Sequence, residues 1–266
     1  MPGSYYCISL IISLVLMRNM RDKIYFASDF HLGVQPKATS QDRERRVISW
    51  LDNIKSDAAE LFLVGDIFDF WFEYRTVVPK GYIRFLGKLA ELADLGVKIT
   101  LFKGNHDMWM FGYFKEELGA RIVDDELLLN LGGKRFFIHH GDGLGPGDAK
   151  YKFLKAFFRS RVCQWLFARL HPNLGIGIAQ RWSAHSRASN GAEERFLGEA
   201  NEWLIQYAKE KLAETHYDYF VFGHRHLPYD IRLQNDVRII NLGEWIHHCT
   251  YAVWDGKDLT LKQWTL

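Results

Sequence analysis

Short apolar runs punctuate the chain, and several end in a glycine followed by charged or polar residues. Residues 23–28 (KIYFAS) alternate apolar and polar positions, which predicts a strand. Residues 40–55 carry Val47, Ile48, Leu51 and Ile54 at helical spacing, which predicts an amphipathic helix with these four on one face. Leu61 to Val64 reads as a second, buried strand ending at Gly65. A helix is expected over roughly 80–95, stopped by Gly96. Val97 to Phe102 predicts a third strand running out at Gly104. Residues 134–139 (KRFFIH) predict a fourth before Gly141, and 218–222 (DYFVF) a fifth before Gly223. Shorter strand signals follow around 228–233, 236–241, 250–255 and 258–264. Strand–helix alternation followed by a run of strands indicates an α/β core with mixed sheets.

Two stretches break this pattern. Residues 148–212 have no strand signal and are dense in helix formers and aromatics, so they are expected to be a helical insertion. The core is then divided into 20–147 and 213–266. Residues 5–17 (YYCISLIISLVLM) are apolar, but shorter than the roughly 20 residues that span a bilayer. No basic residue precedes them, as a secretory signal would require. Met20 opens a natural start, MRDKIYFASDFHLG. Residues 1–19 therefore read first as an over-called start or a dispensable extension, ahead of a weak membrane anchor or a signal peptide.

Composition narrows the class. The 266 residues include 34 basic and 32 acidic side chains, a formal charge of +2, with 48% hydrophobic residues. These values exclude a disordered chain, a collagen and a coiled-coil rod. They also give no global case for nucleic-acid binding. Cys7, Cys163 and Cys249 form no C-x-x-C pair and no even framework, which favours a reducing compartment. The near-neutral total conceals a basic window: Lys150 to Arg195 holds nine basic residues against only Glu193 and Glu194. Seven Phe, Tyr and Trp residues, Tyr151 and Trp182 among them, share that window.

Candidate chemistry sits at the strand ends. The first strand runs into Asp29-Phe30-His31, and the second into Gly65-Asp66-Ile67-Phe68-Asp69. The third runs into Gly104-Asn105-His106-Asp107, the fourth into His140-Gly141-Asp142, and the fifth into Gly223-His224-Arg225-His226. Ligands of open α/β sheets bind beyond the carboxyl ends of the strands, so these segments are expected to converge on one cleft. A carboxylate can bridge two cations, neutral imidazole suits Mn, Fe and Zn, and Asn offers a neutral oxygen. Such a mixed donor set argues against a site built for Mg or Ca alone. Two cations roughly 3.5–4 Å apart can clamp a phosphate and hold a hydroxide between them, with no serine or cysteine nucleophile needed. Each motif alone is unspecific. Five in order, each after an expected strand, are not.

The ordered set D-x-H, G-D-x-x-D, G-N-H-D, H-G-D and G-H-x-H resembles that of the calcineurin-like metallophosphoesterases, over nearly the whole chain after Met20. The resemblance implies a sandwich of two mixed β-sheets flanked by helices. It implies one metal on Asp29, His31, Asp66 and His226, and another on Asp66, Asn105, His140 and His224, with Asp66 as the bridge. His106 matches a histidine that does not bind metal but contacts substrate phosphate or protonates the leaving group. Asp107 is expected to orient it. His139, one residue from His140, should point to the opposite face by strand alternation. His171 and His216 read as loop or surface residues, and His247 and His248 as surface or cleft-lining ones.

The insertion points to the substrate. A basic, aromatic helical lid over such a cleft suits an anionic, greasy molecule, its cations meeting phosphates or anionic headgroups. The plainer alternative is a helical hairpin whose aromatics form a small core of their own. Gly65-Asp66-Ile67-Phe68-Asp69-Phe70-Trp71 resembles the G-D-x-F-[DE]-x-W stretch of the UDP-2,3-diacylglucosamine hydrolases. Similar too are His140-Gly141-Asp142 followed by Asp148 and Tyr151, the stretch from Arg181 to Asn190, and Leu242-Gly243-Glu244-Trp245. That family carries a helical cap at this place and splits UDP-2,3-diacylglucosamine into UMP and 2,3-diacylglucosamine 1-phosphate in lipid A synthesis. It works at the cytoplasmic face of the inner membrane, commonly with Mn2+. The resemblance thus implies two divalent ions, Mn2+ first and Fe or Zn as alternatives. It implies a lipid-linked UDP-sugar and a peripheral membrane position, with neither nucleic acid nor a protein partner. It places Asn105, His106, Asp148, Tyr151, Ser186 and Asn190 at the substrate. Two residues depart from it: His106 stands where many members have arginine, and Glu193 where a cap lysine is expected. A metallophosphoesterase for another diester or monoester, on a nucleotide, phospholipid or phosphoprotein, is the alternative. A membrane-surface protein with a vestigial metal site is a third reading, opposed by the full ligand set.

Overall fold

The computed structural model describes residues 21–34, 37–145, 149–190 and 195–265. The expected 1–19 extension lies outside them. The elements run β1 (Lys23–Ala27), α1 (Lys37–Ile54), β2 (Ala58–Val64), α2 (Ile83–Asp94), β3 (Lys98–Phe102), α3 (Tyr113–Leu118), β4 (Arg121–Val123), β5 (Glu126–Leu131) and β6 (Lys134–His139). Then follow α4 (Ala149–Arg159), α5 (Arg161–Phe167), α6 (Pro172–Asn190) and α7 (Trp203–Glu214). The chain closes with β7 (Tyr219–Phe222), β8 (Tyr229–Arg232), β9 (Arg238–Asn241), β10 (Thr250–Trp254) and β11 (Leu259–Gln263).

Two mixed sheets result, with strand orders β11-β10-β1-β2-β3-β4 and β5-β6-β7-β9-β8. In the first, β1 to β4 are parallel and β10 and β11 antiparallel. In the second, β6, β7 and β9 are parallel and the outer strands antiparallel. Alternation decides which side chains face which layer. Phe26, Phe62, Phe136, Ile138 and Val221 meet between the sheets. Tyr25, Leu61 and Leu63 face the other way, onto Val47, Trp50 and Leu51 of α1 and Phe85 and Leu89 of α2. Both faces of these strands are covered, which is why they read as nearly unbroken apolar runs. On α1 the expected face is shifted slightly: Val47, Leu51 and Ile54 are buried, Ile48 is half-buried, and Trp50 completes the contact.

Three elements had no sequence-level expectation. β4 and α3 are too short to show a period. β5 pairs with β6 across Gly132-Gly133, both at positive φ (57° and 80°), a two-residue hairpin turn that the glycine pair signals. The 148–212 insertion also divides. Helix α7 lays Leu204, Ile205 and Ala208 against Phe137, Phe220 and Phe222 on the outer face of the second sheet. It is therefore a core layer, and we place the cap at α4 to α6.

Candidate metal centre

Parallel strands put their carboxyl ends on one side, and the five motifs follow β1, β2, β3, β6 and β7. Backbone bonds lock these ends together. Asp29 N donates to Gly65 O, His31 N to Asp66 O and Gly223 N to His140 O, all at 2.8–3.0 Å. Asp29, His31, Asp66, His224 and His226 all adopt left-handed backbone, with φ between 45° and 64°. Non-glycine residues in that region cost free energy and persist where surrounding structure over-determines them, as at functional sites.

Two sets of donors hold the expected ligands, and a third cluster, His31, Asp69 and His106, adjoins the first. In the first, His31 Nε2 lies 3.0 Å from His226 Nε2, and Asp29 Oδ1 lies 3.2 Å from His226 Nε2 and 3.6 Å from His31 Nε2. In the second, His140 Nε2 lies 3.4 Å from Asp66 Oδ2 and 3.3 Å from Asn105 Oδ1, and the His224 ring stands beside it at 5.2 Å between centroids. Asp66 Oδ2 is also 4.0 Å from His31 Nε2, so it stands between the sets. All seven residues expected as ligands are brought together.

The donors fit divalent cations. Asp29 Oδ1 is buried with no hydrogen-bond donor aligned on it, a costly arrangement unless a cation takes it. Two nitrogens bound side by side to one ion at about 2.1 Å each sit roughly 3 Å apart, the spacing His31 and His226 show. His140 Nδ1 donates to Val64 O at 2.8 Å, which fixes the tautomer that leaves Nε2 for a metal. Burial disfavours charge on Asp66, yet the His140 and His106 imidazoles beside it hold its carboxyl well below the usual range. Burial pushes the His224 imidazole down to about 4, keeping it neutral as a ligand must be.

Two motif glycines are set by close approach. A Cβ on Gly104 would lie 2.2 Å from Asp66 Oδ1 and 2.4 Å from Asp66 N, and one on Gly223 would lie 2.7 Å from Asp29 Oδ2. Side chains there would displace the ligands they adjoin.

Asp107 has a different task from the one expected. Its carboxylate accepts the backbone N–H of Asp66, Ile67, Phe68 and Gly104 at 2.8–3.2 Å, so it moulds the Asp66 turn rather than orienting His106. Burial and the nearby Asp66 charge raise it to about 7. His106 Nδ1 instead lies 2.9 Å from Ser183 Oγ, 3.2 Å from Asp69 O and 3.7 Å from Asp69 Oδ1. Asp69, the second carboxylate of the G-D-x-x-D motif, was in plain view in the sequence but had no role assigned. Ser183 lies in the Arg181 to Asn190 stretch, but nothing in the sequence set it apart there.

The remaining expected residues divide. His139 is buried away from both sets, its Nδ1 accepting from Gly141 N at 2.8 Å. Tyr151 donates its hydroxyl to Asp142 Oδ2 at 2.7 Å, and Lys155 Nζ meets the same oxygen at 2.8 Å. Tyr151 therefore braces the H-G-D turn, and Asp142 is a charged neighbour of the site that had no expected role. Asp148 lies outside the described residues, as do the side chains of Ser186 and Asn190 on α6. His248 turns back to Glu244 at 2.7 Å, and Glu244 also takes the N–H of His247, so neither histidine joins a ligand set among the described residues.

The cap seats on an aromatic platform. Phe70, Phe72, Met108 and Trp109, from the loops after β2 and β3, pack against Phe158, Phe167, Ile176 and Ala179 of the cap. Trp109 Nε1 donates to Phe158 O at 2.8 Å. The cap also exposes apolar side chains: Phe153 is 75% exposed, Val162 69%, Trp182 58% and Trp165 56%. Lys150, Lys152, Arg161, Arg169 and Arg181 of the cap are exposed too, Arg169 lying over the Trp165 ring.

Comparison with known proteins bears on this site directly. Residues 22–228 match the family model described as calcineurin-like phosphoesterase. A protein named UDP-2,3-diacylglucosamine hydrolase from Porphyromonas gingivalis is 42% identical over 257 residues, covering 91% of this chain and 98% of that one. One of the same name from Haemophilus influenzae is 28% identical over 227 residues, covering 83% and 90%. Among solved structures, a chain described as a novel archaeal phosphodiesterase matches with a TM-score of 0.45 and 16% identity, over 91% of this chain and 99% of that one.

Proposed function

The chain belongs to the calcineurin-like phosphoesterases and, among them, to the family of the UDP-2,3-diacylglucosamine hydrolases, and on that premise we propose that it hydrolyses the pyrophosphate bond of UDP-2,3-diacylglucosamine, releasing UMP and 2,3-diacylglucosamine 1-phosphate for lipid A biosynthesis. The observation that carries the chemistry is the pair of ligand sets sharing Asp66 at the strand ends. The 42% identity carries the substrate.

Asp29, His31, Asp66 and His226 would hold one divalent ion, and Asp66, Asn105, His140 and His224 the other. Mn2+ is the ion proposed, and the mixed donors also admit Fe or Zn. When bound, such a pair neutralises charge on the phosphate and supplies activated water at neutral pH. The chain's own residues do the rest. Asp66 sets the spacing of the two sets. His140 and His224 stay in ligand orientation through the Val64 carbonyl and the β7 turn. His106, with Nδ1 occupied by Ser183 and Asp69, keeps Nε2 for a phosphate oxygen or for the leaving group, and donates to either when the ring carries a proton on both nitrogens. Asn105, Asp148, Ser186 and Asn190 are proposed substrate contacts, and Tyr151 a contact in its braced position.

The test is direct. Purified protein with Mn2+ and UDP-2,3-diacylglucosamine is expected to release UMP, and a chelator to abolish release until Mn2+ is restored. Turnover confined to water-soluble nucleotide or aryl esters would move the substrate to the alternative class.

No helix among the described residues is long and apolar enough to cross a membrane. The proposed location is peripheral, on the cytoplasmic face of the inner membrane. The exposed apolar and basic residues of the cap support it, since burying each aromatic contributes roughly 1.5–3 kcal/mol and each cation near an anionic surface about 1 kcal/mol. Cosedimentation with phosphatidylglycerol vesicles is expected, reduced by salt, and at least about tenfold weaker in the double variant Phe153→Ser, Trp165→Ser. Equal binding by that variant would exclude the cap as the docking face.

A further inference from the structure

The loops after β2 and β3 carry Asp69 and His106, whereas Ser183 comes from the middle of α6, in the cap. The three side chains nevertheless form one hydrogen-bonded chain. Ser183 Oγ donates to Asp69 Oδ1 at 2.7 Å. A hydroxyl has one proton to give, so the same oxygen meets His106 Nδ1, 2.9 Å away, as an acceptor. Nδ1 of His106 therefore carries a proton, which Asp69 O, 3.2 Å away, also accepts. Asp69 Oδ1 itself is 3.7 Å from Nδ1, beyond hydrogen-bond reach, so the hydroxyl bridges carboxylate and imidazole. Ser183 is 5% exposed and the Asp69 carboxylate is buried, so water does not readily replace the hydroxyl.

We propose that Ser183 is a positioning residue for phosphoester hydrolysis, a clasp by which the seated cap fixes the ring orientation of His106 and keeps a proton on its Nδ1. The clasp rests on the proposed role of His106 at this site, not on the identity of the lipid substrate. Its consequence is a coupling: cap and catalytic loop share a hydrogen-bond network. Seating of α6 on the aromatic platform therefore also sets the histidine.

A merely structural role would make Ser183 a fastener of the cap, and the experiment separates the two. Ser183→Ala introduces no bulk and a better helix former, so the fold is expected to hold. Initial rates are measured with UDP-2,3-diacylglucosamine and, in parallel, with bis(4-nitrophenyl) phosphate, for wild type, Ser183→Ala, His106→Gln and the double variant, with melting temperature and Mn2+ content recorded for each. Ser183→Ala is expected to lower kcat by about 10–100-fold with KM nearly unchanged and Mn2+ content retained, the usual range for a residue that orients a site ligand. In the His106→Gln background the same change is expected to cost less than about twofold, because a residue acting through His106 has nothing left to act on. Equal losses in both backgrounds, or a rise in KM with kcat intact, overturn the clasp in favour of cap fastening. A wild type active on the aryl diester but silent on the UDP-lipid overturns the substrate reading and leaves the clasp testable on the first. A wild type silent on both overturns the site's chemistry itself.

Discussion

Asp66→Asn is expected to lower turnover by roughly 10³-fold or more, with the fold intact, because it removes the one carboxylate shared by both ligand sets. Asparagine is the informative replacement. Asp66 sits at φ 52°, a region asparagine tolerates and alanine does not. Its Oδ1 accepts the N–H of His106 at 2.8 Å, a bond the amide oxygen can keep. What is lost is the negative charge at Oδ2, between His140 Nε2 and His31 Nε2. Elemental analysis of the purified variant is expected to give fewer than two Mn2+ per chain. Gly104→Ala should produce a comparable defect from the other side, since its methyl would fall 2.2 Å from Asp66 Oδ1 and must push the carboxylate out of place. Wild-type turnover in either variant would remove Asp66 from the mechanism.

Arg225→Met is expected to destabilise the protein by about 3–5 kcal/mol, for a reason that lies outside the chemistry. Arg225 stands between the proposed ligands His224 and His226, but its side chain pairs elsewhere. Its Nε lies 3.1 Å from Glu202 Oε2 and its Nη2 3.2 Å from Oε1, a paired contact with a carboxylate that is 0% exposed. Nη2 also donates to Arg195 O at 2.9 Å, and the guanidinium lies over the Trp203 ring. Removing the arginine leaves Glu202 buried without its counter-charge. Replacing both partners with apolar residues should restore much of the loss, because the desolvated charge disappears with its partner. Thermal denaturation is expected to fall by about 10 °C for Arg225→Met, and to recover substantially in Arg225→Met, Glu202→Leu. A single variant that melts within about 2 °C of wild type would show the pair to be dispensable. Mn2+ affinity should fall with stability in the single variant, since the same residue joins the two histidines of the G-H-x-H turn.

Much of the core was legible because its signals are local. An apolar run that ends in a short cluster of polar, metal-binding residue types is a strand feeding a turn, and five such runs were found at their places. Asp29, His31, Asp66, Asn105, His140, His224 and His226 follow those runs, and parallel pairing carries their turns to one side. β4 and α3 were missed because elements this short show no period. α7 was merged with the cap because helical spacing says that a face is buried but not against what. Leu204 and Ile205 would look the same under a lid as under a sheet.

The site's hydrogen bonding was legible only in part. The sequence placed Asp107 beside His106, and adjacency suggested that one orients the other. In the fold the Asp107 carboxylate is taken by four backbone N–H groups of neighbouring turns, and residues 37 and 77 positions away from His106 along the chain hold its ring.

By itself, then, the sequence determined which donors could meet a metal and on which strands they ride, since ligand chemistry is a property of residue type and strand direction a property of local pattern. Which carboxylate bridges to His106, which helix is lid and which is core, and which glycines leave room for Asp66 and Asp29 were decided only in three dimensions. Those outcomes depend on distances between segments far apart in the chain, and such distances are fixed by packing, not by any one segment's own preference.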